Sequence, residues 1–544
     1  MLKFSTLICG VLFCFAFPHA AGKGFALFAP LSLIGFFYIQ SQLVLLKQKY
    51  LYTLLFLVGI NTVGFYWLPY TLQIFGELPV SFSYFVSFFF AFIIFPVFWF
   101  IPLWEKQKKW LYGSVQWSYS LELFLQAMWL TTLELLLPQQ FNVQIGHIWI
   151  HYAEKLSLAP VFGAGVYSFF TWWICLTISF CLNSLLKKPK PKIDVSSFPY
   201  AALFWQFLFT LTFFISIPFK SSEVKNPLET SPLNIRIVQG NVGNFMKIAA
   251  ESGDPLLTQD VISLYRDLSL SQEPEKIDLI IWPETAYPYS FHTQEMKGNS
   301  ASTPDVFLQV IGRTGSQLLI GAYDHDEKKS DADYFESEFN AAILFNRQGS
   351  LNQVYHKHKL IPFGETMPFG PLNRTLSEIL PQVSFFARGK DTPLFKLDNQ
   401  LHFVTPICYE ALDSRFMAKL IKGAKEPVHF LVNLTNDSWY GKTAEPEQHL
   451  FLAKWRALEF QLPIIRSTNT GISTVIFPNG QTSPRLEMGV KGVLDLQIPI
   501  ATQAPQTIYL VWGYVPLALL WLIIGVSLSF FWMRKIQREI DRES

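Results

Sequence analysis

Three short runs place a base, a cation and a thiol where strand-like segments end. IIWPETAYP puts Glu284 just past the apolar run Ile277–Trp282. There Pro283 disfavours helix at Trp282 and helps fix the turn. YHKHKLIPFGETMPFG continues the run Leu351–His356 and supplies Lys357, Lys359 and Glu365. TPICYEALD puts Cys408 at the end of His402–Ile407, with Tyr409 and Glu410 beside it. A thiol attacks as the thiolate, so it needs a base, and a buried glutamate could take its proton. A lysine ammonium, together with the backbone N–H of Tyr409, could face the oxyanion of a tetrahedral intermediate. Singly, each residue has an ordinary role. Glu284 could cap a turn, Lys357 or Lys359 could be a solvated hairpin cation, Glu365 could sit in an ion pair, and Cys408 could be a small buried apolar group. Together they supply a nucleophile, a base and an oxyanion partner for substitution at a carbonyl.

The elements around these runs read as strands alternating with helical stretches. Asn234–Val242, Ile277–Trp282 and Gln317–Tyr323 are β-rich. Ala341–Phe345 and Leu351–His356 flank the hairpin turn Asn346–Gly349. His402–Ile407, Val428–Leu434, Ile464–Ser467 and Ser473–Phe477 are further strands, Glu445–Phe460 is a helix, and Pro478-Asn479-Gly480 is a turn. Such alternation predicts an α/β domain with both sheet faces covered, and sites in such sheets assemble at strand ends.

That domain fills only part of the chain. The 544 residues are 50% hydrophobic and only 15% charged, against about 25% charged in soluble proteins. This excludes a disordered chain, a nucleic-acid binder and, with 5 Cys, a disulfide scaffold. The charge is unevenly spread. Residues 1–219 hold 12 Lys, no Arg and 6 Asp or Glu, whereas residues 220–507 hold 27 Lys or Arg and 32 Asp or Glu. Runs near 4–20, 24–42, 51–70, 80–104, 117–137, 158–186, 199–219 and 508–533 each approach the roughly 20 apolar residues that cross a bilayer. The first reads as a retained span, because another apolar run begins at Gly24 where a cleaved leader would give way to polar sequence. With the N-terminus inside, 14 Lys or Arg fall on the inner segments and only Lys23 and Lys155 on the short outer ones, as the positive-inside rule requires. The expected organisation is then a bundle of about seven spans over 1–219, an outward α/β domain over 220–507, an eighth span over 508–533 and a basic inner tail over 534–544. Cys9, Cys14, Cys175 and Cys181 fall in spans, which leaves Cys408 as the one thiol of the outward domain. A lone thiol in an oxidising compartment is exposed to oxidation, and its presence asks for a reason. Glu122 and Glu134 are the main acidic residues within spans and form no ion relay, which speaks against a transporter.

The three runs, in this order, resemble the nitrilase superfamily, and on the membrane frame they resemble its apolipoprotein N-acyltransferase family. The matching runs are VQGN (Val238–Asn241), WPET (Trp282–Thr285), YxKxxLxPFGE (Tyr355–Glu365), ICYE (Ile407–Glu410) and NDSWYG (Asn436–Gly441), followed by Gln448-His449, RALE (Arg456–Glu459) and RSTNTGIS (Arg466–Ser473). The resemblance implies an αββα sandwich with Glu284 as base, Lys357 rather than Lys359 as the oxyanion lysine, and Cys408 as nucleophile. It implies supporting roles for Glu365 and Glu410 as orienting carboxylates, and for Tyr409 and Trp439 at the acyl-binding site. It further implies a bacterial inner-membrane enzyme with its catalytic domain in the periplasm. The acyl donor would be a phospholipid, typically phosphatidylethanolamine, and the acceptor a diacylglyceryl-apolipoprotein. A membrane-tethered amidase would use the same triad. No Gly-rich phosphate loop or His/Cys ligand cluster occurs, so no metal, cofactor or nucleic acid is expected. One departure stands out: after VQGN the family often has Lys followed by an aromatic residue, and here Lys247 precedes Ile248. Asn244–Gly253 is the expected gating loop.

Overall fold

The computed structural model describes residues 2–20, 22–74, 76, 78–104, 119–154, 158–186, 200–214, 230–243, 254–271, 276–296, 302–326, 335–380 and 383–543. The expected gating loop 244–253 and the lysine-rich segments 105–118 and 187–199 lie outside them. The chain forms two compact units. One comprises Met1–Tyr66, Tyr84–Ser221 and Thr507–Ser544, and the other Trp67–Ser83 and Ser222–Gln506.

The first unit is helical. Among the described residues, Gly165–Leu186 and Val515–Arg534 are long and apolar enough to cross a membrane, and Leu46–Gly64 with Leu68–Ile74 makes a third if counted as one bent span. Helices also occupy other expected spans, at Leu2–Cys14, Phe28–Gln42, Tyr119–Leu136 and Tyr200–Phe214, but each is shorter or less apolar. Segment 80–104 is broken into the helix Val80–Phe90 and a 3-10 stretch, Pro96–Leu103. Pro96 and Pro102 lack the N–H that a continuous helix would use. Leu2–Cys14 packs against Leu46–Gly64 almost backbone to backbone. A Cβ on Gly10 would lie 2.0 Å from the Phe56 carbonyl oxygen, and one on Gly59 2.4 Å from that of Leu7. Small residues at such crossings are how apolar helices associate where no hydrophobic drive separates protein from lipid. Glu134 is buried and accepts the Ile145 N–H at 2.6 Å, so its carboxylate ties down a local turn.

The second unit holds two sheets. Strands β1 (Thr230–Gln239), β2 (Leu279–Ile281), β3 (Ser290–Phe291), β4 (Gln317–His325), β5 (Glu338–Phe345) and β6 (Leu351–His356) join the late strand β12 (Gly492–Ala501) in a seven-stranded sheet. Its order is β12-β1-β2-β4-β5-β6, with β3 on β4. Strands β7 (Phe395–Lys396), β8 (His402–Val404), β9 (Phe430–Thr435), β10 (Ile464–Thr468) and β11 (Thr474–Ile476) form a second sheet in the order β11-β10-β9-β8-β7. Helices Pro255–Leu270 and Asp305–Thr314 cover the first sheet through a core that includes Tyr265, Trp282, Phe307 and Phe345. Helix Glu445–Phe460, with the bounds expected from sequence, packs beside the turn that follows β8. The strands β2, β8, β9, β10 and β11 are buried along their whole length, as expected where both faces of a sheet are covered. Gln239 ties the sheets together, its Oε1 accepting from Ser473 Oγ at 2.6 Å and Thr468 Oγ1 at 3.2 Å.

Trp67–Ser83 groups with this α/β unit although 51–70 and 80–104 read as spans in the sequence. Trp67 is buried, donates its indole N–H to Gln448 Oε1 at 3.2 Å, and stands edge-on to Tyr440 at 5.1 Å.

Candidate active site

Sheet topology brings the three sequence runs to strand ends. In the larger sheet β2 and β4 run parallel, while β5 is antiparallel to β4 with Tyr323 opposite Asn340. Strand β6 is antiparallel to β5 with His356 opposite Ala341. The ends of β2, β4 and β6 and the start of β5 therefore share one edge, and Glu284, Lys357 and Asn340 sit there. In the smaller sheet β8, β9 and β10 are parallel. Cys408, Asp437 and Asn469 accordingly follow strands that leave on one edge.

Glu284 reaches its position by a tight turn against β4. Thr285 has φ +47°, and a Cβ on Gly321 would lie 2.6 Å from Glu284 Cα, so only glycine lets this loop close. Lys357 is fully buried. Its ammonium donates to Glu284 Oε1 at 3.0 Å and Glu365 Oε1 at 2.7 Å. Burial opposes its charge, but Glu284 and Glu365 outweigh that and hold its pKa above the ordinary lysine value. Lys359 instead turns to Asp413, the residue that caps helix Ser414–Gly423. Of the two lysines the sequence offered, Lys357 stands between the carboxylates. Asn340 was not anticipated. It is buried, and its amide donates to Glu284 Oε1 at 2.8 Å and to Glu365 Oε1 at 3.3 Å. Glu365 Oε2 accepts the Ile361 N–H at 2.9 Å, which fixes that carboxylate from behind.

Cys408 opens the 3-10 turn Cys408–Leu412 with φ +50°, in the left-handed region that a side chain disfavours. It is buried, within electrostatic reach of Glu284 and Lys357. Burial and the Glu284 charge push its thiol well above the ordinary range, and Lys357 pulls the other way. A thiol held this way needs a base before it can act as a nucleophile. Glu410 braces the turn with both oxygens. Oε2 accepts from Tyr355 Oη at 2.7 Å and the Ile407 N–H at 2.8 Å, and Oε1 from the N–H groups of His358 and Lys359 at 2.7 and 2.9 Å. Burial lifts the Glu410 carboxyl to about 7 against these donors. Tyr409, beside the thiol, is half-buried, and burial raises its phenol pKa. Trp439 lies in the turn after β9, its ring 3.5 Å from where a Cβ on Gly364 would stand, so it adjoins the segment that carries Glu365.

Behind this turn lies a buried set that the sequence presented only as motif letters. Asp437, Glu445 and His449 each bring a ligand atom within 4.8 Å of the others. The local charges suit a hydrogen-bonded network better than a cation. Asp437 Oδ2 accepts from Arg466 at 2.9 Å, and Asp437 Oδ1 lies 3.1 Å from His449 Nδ1. Burial and the Asp437 charge push the Glu445 carboxyl well above its ordinary range, against the charged form. The guanidinium already beside Asp437 would repel a metal ion.

Residues 238–505 match the family model described as carbon-nitrogen hydrolase. A solved amidase from Nesterenkonia sp. aligns over 53% of this chain and 96% of its own, at 17% identity and a TM-score of 0.35. A protein of Bdellovibrio bacteriovorus named apolipoprotein N-acyltransferase is 30% identical over 486 residues, 86% of this chain and 83% of its own length. One of the same name from Haemophilus influenzae is 28% identical over 522 residues, 92% of this chain and 90% of its own. The chain belongs to the apolipoprotein N-acyltransferase family.

Proposed function

We propose that this enzyme moves a fatty acyl chain from a phospholipid, phosphatidylethanolamine foremost, to the free α-amine of an S-diacylglyceryl cysteine at an apolipoprotein N-terminus. The observation that carries the reading is the buried Glu284–Lys357–Glu365 array within electrostatic reach of the Cys408 thiol. Glu284 takes the Sγ proton and the thiolate adds to the ester carbonyl. The resulting oxyanion is met by the Lys357 ammonium and the Tyr409 N–H. Collapse breaks the ester C–O bond, and the proton on Glu284 passes to the departing lysophospholipid hydroxyl, leaving a thioester. In the second half the neutral amine adds to the thioester, Glu284 accepts its proton, and the C–S bond breaks to release the N-acylated product. The proton then returns to sulfur. Glu365 and Asn340 keep Lys357 and Glu284 aimed throughout, Glu410 orients the nucleophile turn, and Tyr409 and Trp439 line the acyl chain's path.

A membrane setting suits both substrates, since each acyl CH₂ taken out of lipid costs roughly 0.8 kcal/mol. We place seven spans in 1–219, the periplasmic catalytic domain in 220–507, an eighth span in 508–533 and a cytoplasmic basic tail in 534–544, in the bacterial inner membrane. The bias of 14 cationic residues against two supports this sidedness. The test is the full chain reconstituted in phosphatidylethanolamine vesicles with a synthetic diacylglyceryl lipopeptide. The expected products are lipopeptide heavier by one acyl chain and an equimolar amount of lysophospholipid. Free fatty acid without N-acylated peptide would favour the hydrolytic amidase reading instead.

A further inference from the structure

Two arginine-bearing motifs, RSTNTGIS and RALE, are not used by the chemistry above, yet both end on the nucleophile turn. A non-glycine residue at φ +50° persists only where its surroundings over-determine it. The carbonyls of Cys408 and Pro406 are both met by one side chain, the Asn433 amide, at 3.4 and 3.1 Å. Asn433 sits on β9 opposite Arg466 on β10. Arg466 Nη1 donates to Asn433 Oδ1 at 2.9 Å, and Nη2 to Asp437 Oδ2 at 2.9 Å. All three are essentially without solvent contact. A guanidinium is buried this deeply only where its partners are fixed. The far end of the turn has a separate anchor. Arg456 Nη1 donates to the Leu412 carbonyl at 3.1 Å, Arg456 Nη2 pairs with Glu459 Oε1 at 3.1 Å, and Ser414 Oγ donates to Glu459 Oε2 at 2.5 Å.

We infer that Arg466, acting through Asn433, is a positioning residue for the nucleophile. It fixes the Cys408 carbonyl and so the left-handed backbone that aims the Cα–Cβ bond, while Arg456 at the distal end serves stability alone. The Arg466 fork suits this because one guanidinium holds the amide oxygen and a carboxylate at once, which orients the Asn433 N–H groups. The inference rests on Cys408 being the nucleophile.

Three variants of the full chain in detergent or vesicles separate the roles. Asn433→Asp keeps an acceptor for Arg466 and removes both N–H donors, Arg466→Lys keeps the charge and loses the fork, and Arg456→Lys is the distal comparison. The readouts are kcat per folded molecule, KM for lipopeptide, the alkylation rate of Cys408 by iodoacetamide, and Tm. We expect Asn433→Asp and Arg466→Lys to lower kcat by about a hundredfold, the scale of a small misplacement of a reacting group. KM should hardly change, and alkylation should alter in both. Arg456→Lys should lower Tm with kcat per folded molecule preserved. Asn433→Asp carries the test if Arg466→Lys does not fold. Wild-type kcat and alkylation in folded Asn433→Asp would overturn the inference, as would an equal loss of kcat in Arg456→Lys. Activity retained in Cys408→Ala would instead overturn the mechanism on which it rests.

Discussion

The two sheets contribute to the site by different physical means. The larger sheet supplies charge: Glu284, Lys357 and Glu365 are joined by side-chain ion pairs at 2.7–3.0 Å, with Asn340 donating to both carboxylates. The smaller sheet supplies shape. Cys408 sits in a disfavoured backbone conformation held by Glu410 and Asn433, mostly through backbone groups. Chemistry on the first half is therefore sensitive to which groups are charged, and on the second half to where one Cα–Cβ bond points.

Six substitutions would break or sharpen that contrast. Cys408→Ala removes the one thiol of the α/β domain, so N-acylation assayed by product mass should vanish while membrane insertion persists. Lys357→Ala strips the charge half of its cation and should lower kcat by about 10²–10³-fold. Lys359→Ala loses a partly exposed pair with Asp413, worth about 0–1 kcal/mol, and a cation 5.5 Å from the Phe416 ring centroid, and should stay near wild type by the same assay. If the two lysines ranked the other way, the charge half would be wrongly assigned. Asn340→Ala removes hydrogen bonds from two carboxylates, each worth about 1.5–3 kcal/mol. The pH–rate profile should shift along with a loss of kcat, and an unchanged profile would reduce Asn340 to packing.

Glu410→Gln tests the shape half through stability. The folded carboxyl lies near 7, above its ordinary 4.5, so folding binds a proton. The resulting stabilisation is full below about pH 4.5 and is lost as pH rises through about 7. Across that window the wild type should lose stability relative to the glutamine variant by on the order of 3 kcal/mol. Parallel Tm-against-pH curves would contradict this. Trp67→Phe keeps the ring against Tyr440 but drops the hydrogen bond to Gln448. It should cost about 1 kcal/mol, read as a small fall in Tm.

The contrast also explains what the sequence disclosed. Local features were legible. Helix Glu445–Phe460 has the expected bounds, and the hairpin turns at Asn346–Gly349, where the Asn346 N–H donates to the Ser350 carbonyl at 3.0 Å. Strand β12 was missed because Asp495, Gln497 and Pro499 interrupt its apolar character and its partner β1 lies far away in sequence. The charge half was partly readable, since Glu284, Lys357 and Glu365 stand in short motifs. Residue type alone left Lys357 and Lys359 open, and only the family motif, with its lysine two residues after Tyr355, chose between them; β6 ends at His356, just before both. Asn340 gave one faint signal, a polar residue immediately before the apolar run Ala341–Phe345. The shape half was least legible. Arg466 meets Asn433 only through the parallel register of β9 and β10, and a positive φ at Cys408 has no residue-type signature. Trp67 was hidden within an apolar run that reads as a span, yet it packs with the catalytic unit.

The central claim is that Cys408 carries the acyl group between donor and acceptor. Intact-protein mass spectrometry of the chain incubated with phosphatidylethanolamine alone tests it directly. The expected spectrum shows one acyl adduct, mapped to Cys408 and absent in Cys408→Ala, which disappears when diacylglyceryl lipopeptide is added and reappears as N-acylated peptide. Product formation with no adduct on Cys408 under any condition, or an adduct that the lipopeptide does not clear, would contradict it.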